Sequence, residues 1–195
     1  MVRGLSGMRH VQARQMVSSA PVINDAELVT ALHARGVHYL RSVHGGETSQ
    51  HVDPRILIAA LAEHPEPRYR EALVPLFLRQ PELADCVPSV VAALDPSAAG
   101  VLEHMYTVAV YLQRFWCSVI EMYVGELRLL PDYFGQSRFS LPSPEAHFGE
   151  AGLRALARLF SERTGYEWLS TYASIMSLFL QQLSLERAHL ERRPG

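Results

Sequence analysis

The densest group of potential metal ligands in the chain is His44, Glu47 and His51, with His38 before it and Asp53 after it. On a continuous helix, spacings of three and four residues would put all three on one face. There they would hold a divalent ion that activates water, the chemistry of a metal-dependent hydrolase. Gly45-Gly46 lies inside the set and predicts a break in such a helix, so solvated or loop histidines and no cofactor are expected. Glu186-x-x-His189 matches half of the di-iron bundle motif, whose second Glu-x-x-His is absent. Nucleophile chemistry finds no better footing. The sequence has no Gly-x-Ser-x-Gly elbow and no Gly-rich phosphate loop, and a HEPN-type Arg–His spacing occurs only at Arg3 and His10. Cys86 and Cys117 stand among apolar neighbours, where a thiol behaves as a small hydrophobe. No catalytic residue is predicted.

Composition narrows the chemistry further. The chain has 195 residues, 48% of them apolar, and a formal net charge of −2. All 18 basic residues are arginine, which removes Schiff-base lysines, Walker-type phosphate lysines and lysine general bases. A near-neutral balance gives no strong nucleic-acid footprint. The absence of lysine fits a general compositional bias, and matters chiefly where a guanidinium sits in a partly buried ion pair. Two lone cysteines make neither a disulfide framework nor a zinc site, so a cytoplasmic setting is expected. Residues 1–22 read as a disordered extension, and 23–193 as a single helical domain. Met8 and Met16 stand as alternative starts to Met1 in that extension.

The elements that must position any site are helical by pattern. Asn24 and Glu27 form a capping-box pair at the start of a helix running from Asp25 to about His44. Gly36 leaves open a strand over residues 37–43 instead. Helix, strand and then Gly45-Gly46 resembles the opening of small nucleotidyltransferases. That family follows its glycines with a metal-binding Asp-x-Asp pair, and Glu47 to Asp53 offers none here. Prolines at 54, 65, 67, 75, 81 and 88 divide residues 53–94 into what reads as three short HEAT-like helices without a clean repeat. Asp95-Pro96-Ser97 opens a central helix expected to run over about 97–130. Its polar stripe is Glu103, Thr107, Arg114, Ser118, Glu121, Gly125 and Arg128, with His104, Gln113 and Glu126 lying off it. Arg114 and Glu121 make it too polar for a membrane span. Ser143-Pro144 is expected to start a further helix that Gly165 stops, and a long C-terminal helix follows from about Glu167.

The expected fold is therefore all-α, an irregular multi-helix bundle built on the long central and C-terminal helices. Three groups are candidates for contact with a partner or ligand. The first is Arg114 and Glu121 beside Trp116, as a buried ion pair or the wall of a pocket. The second is the aromatic connection with Tyr133, Phe134, Arg138 and Phe139, as an interface anchor or a lid on the core. The third is the uncharged face of the last helix, Ser170, Ser174 and Ser177, continued by Gln181 and Ser184. Together they predict a non-enzymatic interaction or regulatory protein that binds a protein partner or itself, of the kind found as bacterial accessory or antitoxin-like subunits. Two alternatives stand beside it. One is a module binding an apolar small molecule between the two long helices, anchored by Arg114 in a cavity of Tyr111, Trp116 and Tyr172. The other is the His44–Glu47–His51 hydrolase.

Overall fold

Asn24 opens the first helix as predicted. Its Oδ1 accepts the Glu27 N–H at 3.0 Å, and Glu27 Oε2 accepts the Asn24 N–H at 2.9 Å. The computed structural model describes residues 23–38, 40 and 52–192. The first helix, α1 (Asp25–His33), is shorter than the pattern suggested: a turn over residues 34–36 follows it, with Gly36 at φ +71°, a conformation that favours glycine. No strand occurs among the described residues, and most of the 37–43 segment lies outside them. His44, Glu47 and His51 also lie outside the described residues, as does the extension 1–22.

Residues 53–94 form more pieces than three helices. They are α2 (Pro54–Glu63), α3 (Pro67–Glu71), α4 (Leu73–Arg79), a 3-10 turn over Pro81–Cys86, and α5 (Val87–Ala93). Proline sets these boundaries by occupying first-turn positions, where its missing N–H costs nothing: Pro54 behind the Asp53 cap, Pro67 and Pro81. Pro75 is tolerated within the first turn of α4, and that helix is buried along its whole apolar length.

The central helix is α6 (Pro96–Phe115), not one rod to residue 130. Trp116 (φ −108°, ψ 13°) breaks it, α7 (Cys117–Val124) follows, and Gly125 at φ +81° ends α7. Residues 126–131 then return without helical structure along the end of α6. Gln113 and Arg114 make that return possible. The fully buried Gln113 accepts the Leu130 N–H at 2.7 Å and donates to the Arg128 carbonyl at 3.0 Å. Arg114 donates to the Leu130 carbonyl at 2.9 Å and to Gln113 Oε1 at 2.9 Å. Side chains thus replace the helical hydrogen bonds that the backbone gives up.

The short α8 (Gly135–Phe139) lies in the aromatic connection. The next helix does not begin at Ser143-Pro144. His147 and Phe148 take left-handed backbone values there, and α9 (Glu150–Thr164) starts only after Gly149. Gly165 ends it as expected. The last helix is α10 (Trp168–Glu191). α6 occupies the centre, packed most extensively on α4 and also on α2 and α9, while α10 lies along α9, α4 and α7. The architecture is all-α with a buried central helix and a long C-terminal one.

Candidate functional site

The predicted residues fall in three places. Arg114 does not meet Glu121. Its guanidinium closes the return segment as above and stands 3.5 Å from Glu145, while Glu121 is exposed and accepts the Cys117 thiol at 3.5 Å. Burial, followed by that carboxylate, pushes the Cys117 thiol above its ordinary value, so it is a poor nucleophile. Tyr111 and Tyr172 are fully buried, and Trp116 sits at the kink. Neither described cleft is lined by this group, and Arg114 bonds to Gln113 and Leu130 while its buried Nε has no hydrogen-bond partner among the described residues.

Tyr133 and Phe134 fold down onto α6. Both rings meet Tyr106, at 5.5 and 5.9 Å between centroids, and Tyr106 in turn donates its hydroxyl to the Pro131 carbonyl at 2.8 Å. These two rings act as a lid on the core. On α10, by contrast, Ser170, Ser174, Ser177, Gln181 and Ser184 are exposed, as are Leu178 (49%) and Leu185 (64%). Ser174 and Ser177 spend their hydroxyl protons on the carbonyls of Ser170 and Ala173, at 2.9 and 2.8 Å.

Arg138 and Phe139 belong to a different feature, a cleft of about 440 Å³ between α6, α9 and the start of α10, edged by α3 and α8. Its aromatic wall is His104, Phe139, Phe160 and Trp168, and Gly100 and Val101 extend it along α6. His104 is 3% exposed. Its ring stacks on Phe160 at 3.5 Å between centroids with the planes 4° apart, and meets the edge of Trp168 at 4.7 Å. Its hydrogen bond is to the Tyr172 hydroxyl at 2.6 Å. Burial pushes the imidazole down to about 3, so it is neutral at physiological pH, and burial likewise raises Tyr172 and keeps it a hydroxyl. The rest of the wall is braced by α9: Trp168 Nε1 donates to Thr164 Oγ1 at 3.0 Å.

Charged side chains also line the cleft: Arg70, Arg138 and Arg163 with Glu71 and Glu103. Arg138 Nε is 3.2 Å from Glu103 Oε2, and the Arg163 guanidinium lies over Phe160 at 5.6 Å. Such an arrangement can bury an apolar body and orient a polar end. It holds no nucleophile–base pair and, among the described residues, no group of metal ligands. Sequence reasoning passed over His104, Phe160, Arg163 and Gly100. The available signal was His104 itself, a polar residue off the stripe of a mostly apolar helix.

A second, shallower cleft lies over α10 and includes His38, Arg79, Gln182, Glu186 and His189. Its polar groups are occupied in holding the turn after α1. Gln182 donates to the Gly36 carbonyl at 2.7 Å and accepts the His38 N–H at 3.0 Å, and Arg79 pairs with Glu186 at 2.8 Å. Glu186 of the Glu186-x-x-His189 motif is therefore part of the scaffold, while His189 is exposed. No helix among the described residues is long and apolar enough to cross a membrane. No protein-family model, curated protein or solved structure matches the chain, and its function is read from this geometry alone.

Proposed function

We propose that the chain is a helical module that binds a small, largely apolar ligand in the cleft between α6, α9 and α10. The supporting observation is the cleft itself. Its volume of about 440 Å³ lies within the usual range of small-ligand sites, roughly 300–1,000 Å³. Four aromatic rings wall it, and one of them is a buried neutral histidine fixed by a tyrosine hydroxyl. A side chain forced to stay uncharged, beside exposed arginines, makes an apolar bed with polar groups at one end.

Gly100 provides the test. Gly100 lines the cleft and a Cβ placed there meets nothing within 4 Å, so the backbone accepts a side chain, and Gly100→Leu sets an apolar one at the cleft. Glycine in a helix interior costs about 1 kcal/mol against a good helix former. The variant should therefore gain stability, raising Tm by about 2–4 °C. The neutral dye 1-aminoanthracene should brighten on binding the native chain and fail to do so with Gly100→Leu. Equal dye binding by both proteins would refute the reading.

The exposed face of α10 supports a second reading, association with another copy of the chain. No charged residue lies between Glu167 and Glu186, and hydroxyls already bonded to their own helix lose little on leaving water. An antiparallel pairing centred on Ser177 sets Glu167 opposite Arg187 of the second copy, since each lies ten residues from the centre. The expected result is a dimer by light scattering at micromolar concentration, converted to folded monomer by Ser177→Arg. A native chain that stays monomeric would end this reading.

A further inference from the structure

We infer that the ligand of the cleft is an anionic amphiphile, an apolar body carrying one carboxylate, with Arg70 and Arg163 reading the acid. The inference rests on the ligand-binding reading and adds the sign of the ligand's charge. Among the described residues, three guanidinium groups and two carboxylates line the cleft, which leaves one positive charge in excess. Arg138 is matched by Glu103 at 3.2 Å, and the Glu103 side chain is only 14% exposed. Arg70 has no ion-pair partner among the described residues and stands half-buried at the end of α3. A half-buried guanidinium without an ion pair suits a carboxylate, which arginine can bind through two parallel N–H groups.

The aromatic wall does not favour the opposite sign. A cation cage needs open ring faces, and the Phe160 ring is already engaged by the imidazole of His104 and the guanidinium of Arg163. His104 is neutral, so it neither repels a cation nor holds an anion by charge. Discrimination falls to the arginines, and an apolar body with a single acid group satisfies both parts of the cleft.

The test displaces 1-aminoanthracene with three probes of equal chain length below their micellar concentrations: decanoate, 1-decanol and decylammonium. Decanoate should compete roughly tenfold better than 1-decanol, the scale of one charge-assisted hydrogen bond, and decylammonium should be the weakest. In the double variant R70Q/R163Q, with each probe read against that variant's own dye affinity, decanoate and 1-decanol should compete equally. Equal competition by the acid and the alcohol, a preference for the ammonium, or no displacement by any probe would overturn the inference while dye binding keeps the cleft reading intact. A preference that survives in R70Q/R163Q would overturn the assignment to these residues. Absence of dye binding to the native chain would remove the cleft reading and the inference with it.

Discussion

Gly152→Ala is expected to destabilise the protein by at least about 3 kcal/mol, the upper end of what overpacking a core costs. The reason lies in Tyr111, fully buried near the C-terminal end of α6. A Cβ on Gly152 would stand 1.9 Å from Tyr111 Cε1 and 2.5 Å from Cδ1. The ring cannot retreat. On its other side Gly135 is so close that a Cβ there would lie 2.7 Å from the Tyr111 hydroxyl and 2.8 Å from Cε2. The hydroxyl itself is held by the Pro142 carbonyl at 2.6 Å. Tyr111 is thus wedged between two glycines from elements far apart in sequence, and it fixes α8 and α9 against α6. Urea denaturation of Gly152→Ala gives the cost. Tyr111→Leu removes the obstructing ring, and in that background the alanine should cost under about 1 kcal/mol, a strong coupling between the two sites. Strictly additive penalties would show that the ring is not the obstacle.

That wedge also marks where sequence reading stops. Two helix starts were legible because they depend on neighbours in the chain, Asn24 with Glu27 and Asp95 before Pro96, whereas Ser143-Pro144 carries the same kind of local signal and starts no α-helix. The end of α6 was not. Nothing near Trp116 breaks a helix by its own preference, and the break is stabilised by Gln113 and Arg114 bonding to residues 128–130. Those are contacts across 15 to 17 positions, which periodicity cannot reveal. The Arg114–Glu121 pairing failed for the same reason, since it assumed an unbroken rod.

Site residues followed a related rule. The stripe offers Arg114 and Glu121 as an ion pair or a pocket wall, yet Glu121, like Ser118, belongs to α7 and faces solvent. The informative positions were the two that violated the stripe within α6, His104 and Gln113. Each is buried because it makes a particular hydrogen bond, one in the wall of the cleft and one under the return segment. A polar residue where burial is predicted has to be satisfied by something distant, and that something is where structure departs from local pattern. Arg138 and Phe139 were legible as functional types but not as members of a cleft, because their partners come from α6 and α9.

His104 makes the cleft wall acid-sensitive. Its imidazole is stacked on Phe160, edged by Trp168 and bonded to the Tyr172 hydroxyl, with no carboxylate among those partners. Burial holds its proton affinity at about 3, against 6.5 for an ordinary histidine, so the folded chain refuses a proton that the unfolded chain accepts. The contribution of the group is therefore complete above 6.5 and is lost as pH falls from there towards 3, at up to about 1.4 kcal/mol per pH unit. His104→Gln keeps a polar group within reach of Tyr172 and cannot titrate. The native chain should lose about 2–3 kcal/mol more than this variant between pH 6.5 and pH 4, measured by urea denaturation at each pH. Parallel acid limbs for the two proteins would sink the prediction. Occupancy of the cleft bears on the same balance. A ligand that binds only the folded chain adds stability by mass action, so a cleft filled at acid pH offsets part of the cost of keeping His104 uncharged. His104 both makes this wall apolar and costs stability in acid, and a ligand seated against it should move the acid midpoint of the native chain to lower pH while leaving that of Gly100→Leu where it was.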